Sequence, residues 1–326
     1  MSIKKIGLLT SGGDAPGMNA CIRAVVRTAL HHHLEVVGIK RGYQGLIEGD
    51  ISTMDTESVS NILQLGGTIL RSARSDEFRT FEGRAKAYKT IKDNGIEGLV
   101  VIGGDGTFKG SLAFMETYKD VPILGCPGTI DNDLYGTDYT IGYDTAINTA
   151  MNAIDNIKDT ANSHDRLFFI EVMGRDAGFI ALRSGIATGA EAVLMPESKT
   201  SVDQLITILK QGRALKKNAS IVVVAEGDDV GGAFKLADAV KEKGFSDYEI
   251  KVSILGHIQR GGRPTCMERV RASQMGMAAV EGLINNRKGE MIGIIHDEIV
   301  FTPFEQATKH HSQINKAMLD MVKILG

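Results

Sequence analysis

IKKIGLLTSGGDAPGMNACIRAVVRTALHHHLEVVGI, residues 3–39, is the stretch that decides the fold of this chain. Ile3–Thr10 is an apolar run of strand length, and the Gly-rich turn Ser11–Gly17 ends it. Ile22, Val25, Val26 and Ala29 then recur at three- and four-residue spacing, which predicts a helix over Met18–His31. Leu34–Ile39 predicts the next strand. Strand, helix, strand in this order implies a right-handed crossover and a parallel sheet.

The alternation continues downstream. Helices are expected over Arg84–Asn94, Gly110–Glu116, Asp144–Asp159, Asp176–Thr188, Val202–Lys217, Ala233–Lys243, Pro264–Asn286 and a terminal Phe304–Leu325. Strands are expected at Gly98–Ile102, Val121–Gly125, Arg166–Val172, Val193–Met195, Ile221–Ala225 and Glu249–Leu255. The predicted fold class is α/β, with two Rossmann-like lobes of mainly parallel sheet flanked by helices. Such sheets bind ligands at the C-terminal ends of their strands, in a cleft.

Bulk properties narrow the function. A length of 326 residues is long for one core, so two lobes are expected. The net charge of −3 argues against a dedicated nucleic-acid binder. No apolar run approaches the ~20 residues that span a bilayer, and Met1–Ile6 carries no leader pattern. Cys21, Cys126 and Cys266 are widely spaced and odd in number, which fits a reducing cytoplasm rather than a disulfide or zinc framework.

Four strand-end loops carry candidate chemistry. Thr10–Gly17 brings backbone N–H groups to a helix start, where a polyphosphate is favoured, but it matches neither GxGxxG nor the P-loop. Gly103-Gly104-Asp105-Gly106-Thr107 combines room for phosphate with a carboxylate suited to Mg²⁺. Gly128-Thr129-Ile130-Asp131-Asn132-Asp133 sets two acids two residues apart; the same run also reads as an Asx-rich turn. Met173-Gly174-Arg175 offers a guanidinium for bidentate phosphate contact, although a strand-end Arg also serves in surface ion pairs. Arg74 poses the same choice, and His257 and Arg260 stand bracketed by glycines in Gly256–Gly262. Together the loops point to phosphoryl transfer from a Mg²⁺-bound donor to a hydroxyl, chemistry that depends on positioning and charge neutralisation.

TSGGDAPGMN at 10–19, GGDGT at 103–107, PGTIDND at 127–133, EVMGR at 171–175 and LGHIQRGG at 255–262 together resemble bacterial ATP-dependent 6-phosphofructokinases, in order and spacing over nearly the whole chain. The resemblance implies transfer of the ATP γ-phosphoryl group to the 1-hydroxyl of fructose 6-phosphate, a step of glycolysis, on a homotetramer. It implies Asp131 as general base, Asp133 as its companion, Thr129 at the reacting group and Arg175 on transition-state charge. Gly13, Arg74, Gly104, Asp105, Gly106 and Thr107 would form the ATP site, with Asp105 on the Mg²⁺. Thr129, Ile130, Asp131, Met173, Gly174, Arg175, Glu226, His257 and Arg260 would hold the sugar phosphate, with Arg166 and Lys251 reaching it across a subunit boundary. Residues 1–138 with part of 255–305 would form the larger, ATP-binding lobe. Residues 139–254 with a C-terminal helix 304–326 would form the smaller, fructose 6-phosphate-binding one.

Departures from the family pattern carry information. Pyrophosphate-using members typically replace the equivalents of Gly106 and Gly128 by Asp and Lys; both are Gly here, which favours ATP. Position 251 is Lys where the bacterial enzymes have Arg, so the bidentate fork is lost. The family's effector site for ADP and phosphoenolpyruvate maps onto Arg23, Arg27, Lys158, Glu191 and Lys217. An expected Arg, Asp and Lys are replaced by Thr56, Asn61 and Leu215, so a reduced or altered effector response is expected. Competing readings are an NAD or lipid kinase, a pyrophosphate-dependent phosphofructokinase, and a regulatory subunit without catalysis. Retention of Asp105, Asp131, Asp133 and Arg175 argues against the last.

Overall fold

A computed structural model describes residues 3–161, 163, 166–215, 219–309 and 313–325. In chain order, the first elements are β1 (Lys5–Thr10), α1 (Met18–His31), β2 (Glu35–Ile39), α2 (Gly42–Glu48), β3 (Ile51–Met54) and α3 (Phe81–Asp93). Next come β4 (Gly98–Gly103), α4 (Asp105–Thr117), β5 (Ile123–Thr129), β6 (Ile141–Gly142), α5 (Tyr143–Ala161) and β7 (Arg166–Val172). Then follow α6 (Phe179–Thr188), β8 (Ala192–Leu194), α7 (Val202–Ala214), β9 (Ser220–Ala225), α8 (Ala233–Glu242) and β10 (Glu249–Ile254). Helix α9 (Cys266–Ile284), β11 (Glu290–Ile295), β12 (Glu298–Pro303), α10 (Phe304–Lys309) and α11 (Lys316–Leu325) complete the order. Among the described residues, no helix is long and apolar enough to cross a membrane.

The chain divides into two compact units. Unit 1 is Met1–Ile130, Leu134–Thr145 and Arg260–Ser312, and unit 2 is Asp131–Asp133, Ala146–Gln259 and Gln313–Gly326. Unit 1 holds a sheet in the order β12-β11-β5-β4-β1-β2-β3, with β6 paired to β5. Its centre is parallel, and β3 and β12 run antiparallel at the edges. Leu9, Ile39, Val101, Phe108, Phe114, Ile123 and Phe304 fill its core, all at most 1% exposed. Unit 2 holds the all-parallel sheet β10-β7-β9-β8. Its core is built from Leu167, Phe169, Leu205, Leu209, Val222, Val224 and Leu236. Strands covered on both faces read as continuous apolar runs, which is why β1, β4, β7 and β9 were visible in the sequence.

The strand orders fix where ligands belong. In unit 1 the chain moves from β1 to β2 and β3 on one side, then places β4 on the other side of β1. In unit 2 it moves from β7 towards β8 and β9 on one side, then places β10 on the other. Each reversal is a topological switch point, where the loops beyond the strand ends part and leave a crevice.

Several expectations need correction. Strand β5 does not stop at Gly125 but runs to Thr129, because its Gly-Cys-Pro-Gly-Thr half pairs with β4 up to Pro127 and with β6 at Gly128 and Thr129. Helix α4 starts at Asp105 rather than Gly110, so most of the glycine-rich run is its first turn. Helix α6 starts at Phe179, not Asp176. The single terminal helix over Phe304–Leu325 is two helices, with residues 313–315 outside both; α10 belongs to unit 1 and α11 to unit 2. Helix α7 ends at Ala214, and Lys217 lies outside the described residues. The hairpin β11–β12 went unseen because His296-Asp297 supplies its turn, with φ of 52° and 63°, in place of an Asn-Gly signal.

Candidate functional site

The loops at the β1/β4 switch point in unit 1 are tied together by short bonds. Ser11 N–H donates to Ile102 O at 2.9 Å, and Thr107 Oγ1 donates back to Ser11 O at 3.3 Å. The segment before Arg74 is drawn to the same place. Thr10 Oγ1 donates to Arg71 O at 2.7 Å, Ser72 Oγ donates to Gly12 O at 2.5 Å, and Asn19 Oδ1 accepts from Ile69 N at 2.8 Å. Arg74 itself is exposed and makes no ion pair among the described residues. The roles of Thr10, Asn19 and Ser72 are not legible in the sequence, because each acts through a chain segment 50 to 61 residues away.

Gly13 lies under a guanidinium. A Cβ built there would stand 2.6 Å from Arg260 Nη1, and the same nitrogen donates to Asp14 O at 3.3 Å. Arg260, expected on the sugar phosphate, touches the Gly-rich loop of unit 1 through this nitrogen.

The first turn of α4 is prepared for an anion with a cation beside it. Gly104 is the N-cap and offers no side-chain acceptor to the turn that follows. Uncapped first-turn N–H groups and the helix dipole favour phosphate. Asp105 places Oδ2 2.8 Å from Lys109 Nζ, while its buried Oδ1 has no hydrogen-bond partner. A buried carboxylate oxygen without a donor is costly unless a cation occupies it. Among the described residues no group of three or more ligating side chains forms a cage. Mg²⁺ takes one or two carboxylates from a protein and completes its shell with phosphate oxygens and water. A Cβ on Gly106 would meet nothing within 4 Å, so the glycine faces open space. One on Gly128 would stand 2.7 Å from Met18 Cε and 3.2 Å from Gly103 N, so a side chain there would have to displace Met18 and press on the backbone.

The run after β5 changes unit within a few residues. Thr129 accepts from Thr140 Oγ1 through its carbonyl at 2.6 Å, and its Cβ lies 3.6 Å from a Cβ built on Gly104. Ile130 is fully buried, so its side chain is unavailable to a ligand. Asp131 and Asn132 are each 6% exposed, and Asp133 is half-buried. Asn132 has φ 54°, a left-handed conformation that Asn adopts more readily than most residues.

In unit 2 the loops at the β7/β10 switch point hang from side chains. Gln259, fully buried, accepts from Met173 N through Oε1 at 3.3 Å and donates through Nε2 to Gly256 O at 3.0 Å. Glu226 Oε1 accepts from Gly174 N at 3.3 Å and from Arg175 N at 2.7 Å. Arg175 is held at φ 57°, and a Cβ on Gly227 would lie 2.1 Å from Arg175 O, so only glycine fits there. The exposed Arg175 side chain makes no ion pair among the described residues, and His257 is exposed as well. Glu226 was expected on the substrate; here it clamps the loop that carries Arg175.

Arg166 and Lys251 stand at the other end of the same strands. Arg166 opens β7, opposite Glu249, the first residue of β10. Glu249 Oε2 lies 2.9 Å from Arg166 Nε and Oε1 lies 2.6 Å from Lys251 Nζ. Lys251, then Arg166, holds this carboxyl at about 2, well below the ordinary carboxylate value.

The expected effector residues divide between the units. Arg23 and Arg27 lie one turn apart on α1 in unit 1. In unit 2, Lys158 Nζ donates to Thr188 O at 2.7 Å, and Glu191 precedes β8. Thr56 lines a shallow depression with Leu30, Asp55, Glu57 and Ser60, which supplies acids and no base.

With this geometry established, comparison with known proteins is informative. Residues 5–283 match the family model described as Phosphofructokinase. ATP-dependent 6-phosphofructokinase 2 of Bacteroides thetaiotaomicron is 54% identical over 325 residues, covering 100% of this chain and 99% of its own. ATP-dependent 6-phosphofructokinase 1 of Thermus thermophilus is 54% identical over 324 residues, covering 99% and 100%. The solved structure of phosphofructokinase from Saccharomyces cerevisiae aligns with a TM-score of 0.88 at 38% identity. That alignment covers 94% of this chain and 45% of the yeast one, so the chain spans just under half of the yeast length.

Proposed function

The chain belongs to the phosphofructokinase family, and from that premise we propose that it transfers the γ-phosphoryl group of ATP to the 1-hydroxyl of fructose 6-phosphate. The products are fructose 1,6-bisphosphate and ADP. The observation that carries this reading is Asp105: a buried, unpartnered carboxylate oxygen in the first turn of α4, beside the open face of Gly106. Asp105 would hold Mg²⁺ brought with the donor, and the ion would supply neutralisation of the charge that builds on the transferred group.

Gly13, Arg74, Gly104, Gly106 and Thr107 accommodate the nucleotide phosphates. Asp131 accepts the proton of the 1-hydroxyl as its oxygen attacks phosphorus, the bond to the β-phosphate oxygen breaks and ADP leaves. Burial of Asp131 and the left-handed Asn132 restrict where its carboxylate can point. Asp133 assists it, and Thr129 contacts the reacting group. Arg175 balances transition-state charge, from a loop that Glu226 and Gln259 fix. Met173, Gly174, His257 and Arg260 hold the sugar phosphate.

Arg166 and Lys251 serve a second copy's substrate in a homotetramer. Arg166 begins β7 and Met173 follows its end, so about 20 Å of strand separates them at ~3.3 Å per residue. That separation supports a role outside the chain's own Met173–Arg175 loop. The effector response is reduced or altered, a reading that the acids around Thr56 support.

A coupled assay with fructose 6-phosphate and either Mg-ATP or Mg-pyrophosphate tests the reading. Activity with ATP alone is expected; turnover with pyrophosphate alone would overturn the donor assignment. Asp131→Ser should lower kcat about 10²- to 10⁴-fold, the usual contribution of a general base, with little change in sugar-phosphate binding. Near-normal turnover would remove Asp131 as the base.

A further inference from the structure

The ends of β7 and β10 opposite the Arg175 loop hold a three-residue ionic cluster. Glu249 sits in register with Arg166 across the strand pair, and Lys251 is two residues further along β10, so all three project from one sheet face. β10 is the edge of its sheet, and its residues are half or fully exposed. One carboxylate therefore bridges two cations, one oxygen to each, in solvent.

We propose that Glu249 is a displaceable counter-anion that occupies Arg166 and Lys251 until a phosphate monoester takes them, and so sets the enzyme's affinity for its sugar phosphate. The inference rests on the reading above, in which these two cations serve the 6-phosphate in another copy. Two carboxylate oxygens shared between a guanidinium and an ammonium reproduce part of what a phosphate presents. A phosphate brings a third oxygen and close to a second charge. It outcompetes the carboxylate, but only after displacing it.

Three features favour the exchange chemically. The pairs are exposed, and exposed ion pairs contribute little net stability, so releasing them is inexpensive. Arg166 engages Glu249 through Nε alone, which leaves its terminal nitrogens to a ligand. The neighbouring cations keep Glu249 ionised through the physiological pH range, so the competition persists at every working pH. Lys at position 251 holds the carboxylate as a point charge, without the bidentate fork that an Arg would offer.

The test uses the full-length enzyme with fructose 6-phosphate and, as a separate probe, inorganic phosphate as competitor. Glu249→Gln removes the charge while keeping the side chain's size. It should lower the half-saturating fructose 6-phosphate concentration about 2- to 10-fold, the range for two exposed pairs. Turnover at saturation should stay within about twofold, inhibition by inorganic phosphate should strengthen, and the gain should shrink at high salt. An unchanged or raised half-saturation in Glu249→Gln, with Arg166→Ala raising it, would overturn the counter-anion role and leave the phosphate site intact. If Arg166→Ala and Lys251→Ala both leave half-saturation unchanged, the phosphate-site reading itself fails, and the proposal with it.

Discussion

At the β1/β4 ends the loops are anchored largely by main-chain carbonyls. Ser11 N–H reaches Ile102 O, Thr107 reaches Ser11 O, and Ser72 reaches Gly12 O. At the β7/β10 ends the corresponding loop hangs from two long polar side chains, Gln259 and Glu226, each supplied from a distant strand end. The first arrangement leaves Gly106 facing open space and one buried oxygen of Asp105 without a donor. The second leaves an exposed guanidinium, with no ion pair among the described residues, on a backbone that side chains hold at a φ of 57°. A nucleotide's phosphates can be bound by backbone and a metal, whereas a sugar phosphate calls for placed side chains. The two switch points differ in the way those two ligands would require.

The unsatisfied acid gives the comparison its strongest test. Asp105→Asn should reduce kcat/KM for Mg-ATP about 10²- to 10³-fold, because a metal ligand worth several kcal/mol of transition-state charge is lost. The ligand-free protein should lose little stability, since the change removes a buried oxygen that has no hydrogen-bond donor. Steady-state kinetics at saturating Mg²⁺, paired with thermal melts without nucleotide, measures both. A variant that melts much lower and keeps its kcat/KM would mean that Asp105 is there for Lys109 alone.

The same contrast explains what the sequence discloses. Glycine and Asp in Ser11–Gly17 and Gly103–Thr107 mark a backbone site directly, since few packing roles need them at a helix start. Gly106 faces open space, whereas Gly128 has a second reason to be glycine that only the structure supplies, the closeness of Met18 and Gly103. In the second region the sequence names the loop yet not its supports. Gln259 lies inside the quoted LGHIQRGG run without having been given a role, because a buried Gln between His257 and Arg260 has no periodic or compositional signature. Glu226 is expected on a ligand, and the bonds of its Oε1 to the Gly174 and Arg175 N–H groups are visible only in the structure. Glu249 escaped notice altogether, since an exposed Glu in a strand is ordinary until its register with Arg166 is known. The family resemblance compensated for part of this, and it could do so only for residues that belong to shared motifs.

Gln259 offers the next test. Gln259→Leu should leave the Met173 N–H buried without an acceptor, at a cost of about 1–3 kcal/mol. The expected result is a roughly 10-fold fall in kcat/KM for fructose 6-phosphate, with the constants for Mg-ATP within about twofold. An equal loss in both substrates' constants would mean that Gln259 supports the protein generally, and the distinction between backbone-held and side-chain-held loops would weaken.

The smallest effect concerns a residue that departs from the pattern. Glu268 in α9 is a side chain supporting a helix start in unit 1: its Oε2 accepts from Thr145 N at 3.1 Å and Thr145 Oγ1 at 3.2 Å, in the first turn of α5. Asp144 faces it from the same turn and bonds Thr265, the N-cap of α9. Burial, at 2% exposure, pushes the Glu268 carboxyl up to about 7, and the Asp144 charge adds to the shift. The folded state therefore keeps a proton that the unfolded chain releases near 4.5, so stability falls as pH rises from about 4.5 to about 7. From the size of the shift the loss amounts to at most about 3 kcal/mol, and above pH 7 it is complete. Glu268→Gln cannot ionise, so its melting temperature relative to the native chain should be higher at pH 8 than at pH 5, by a few degrees at ~2–4 °C per kcal/mol. A difference that stays constant between pH 5 and 8 would mean that Glu268 is ionised throughout, held by the α5 first turn as firmly as Glu226 is held by the Arg175 loop. Side-chain anchoring would then be as strong in unit 1 as in unit 2.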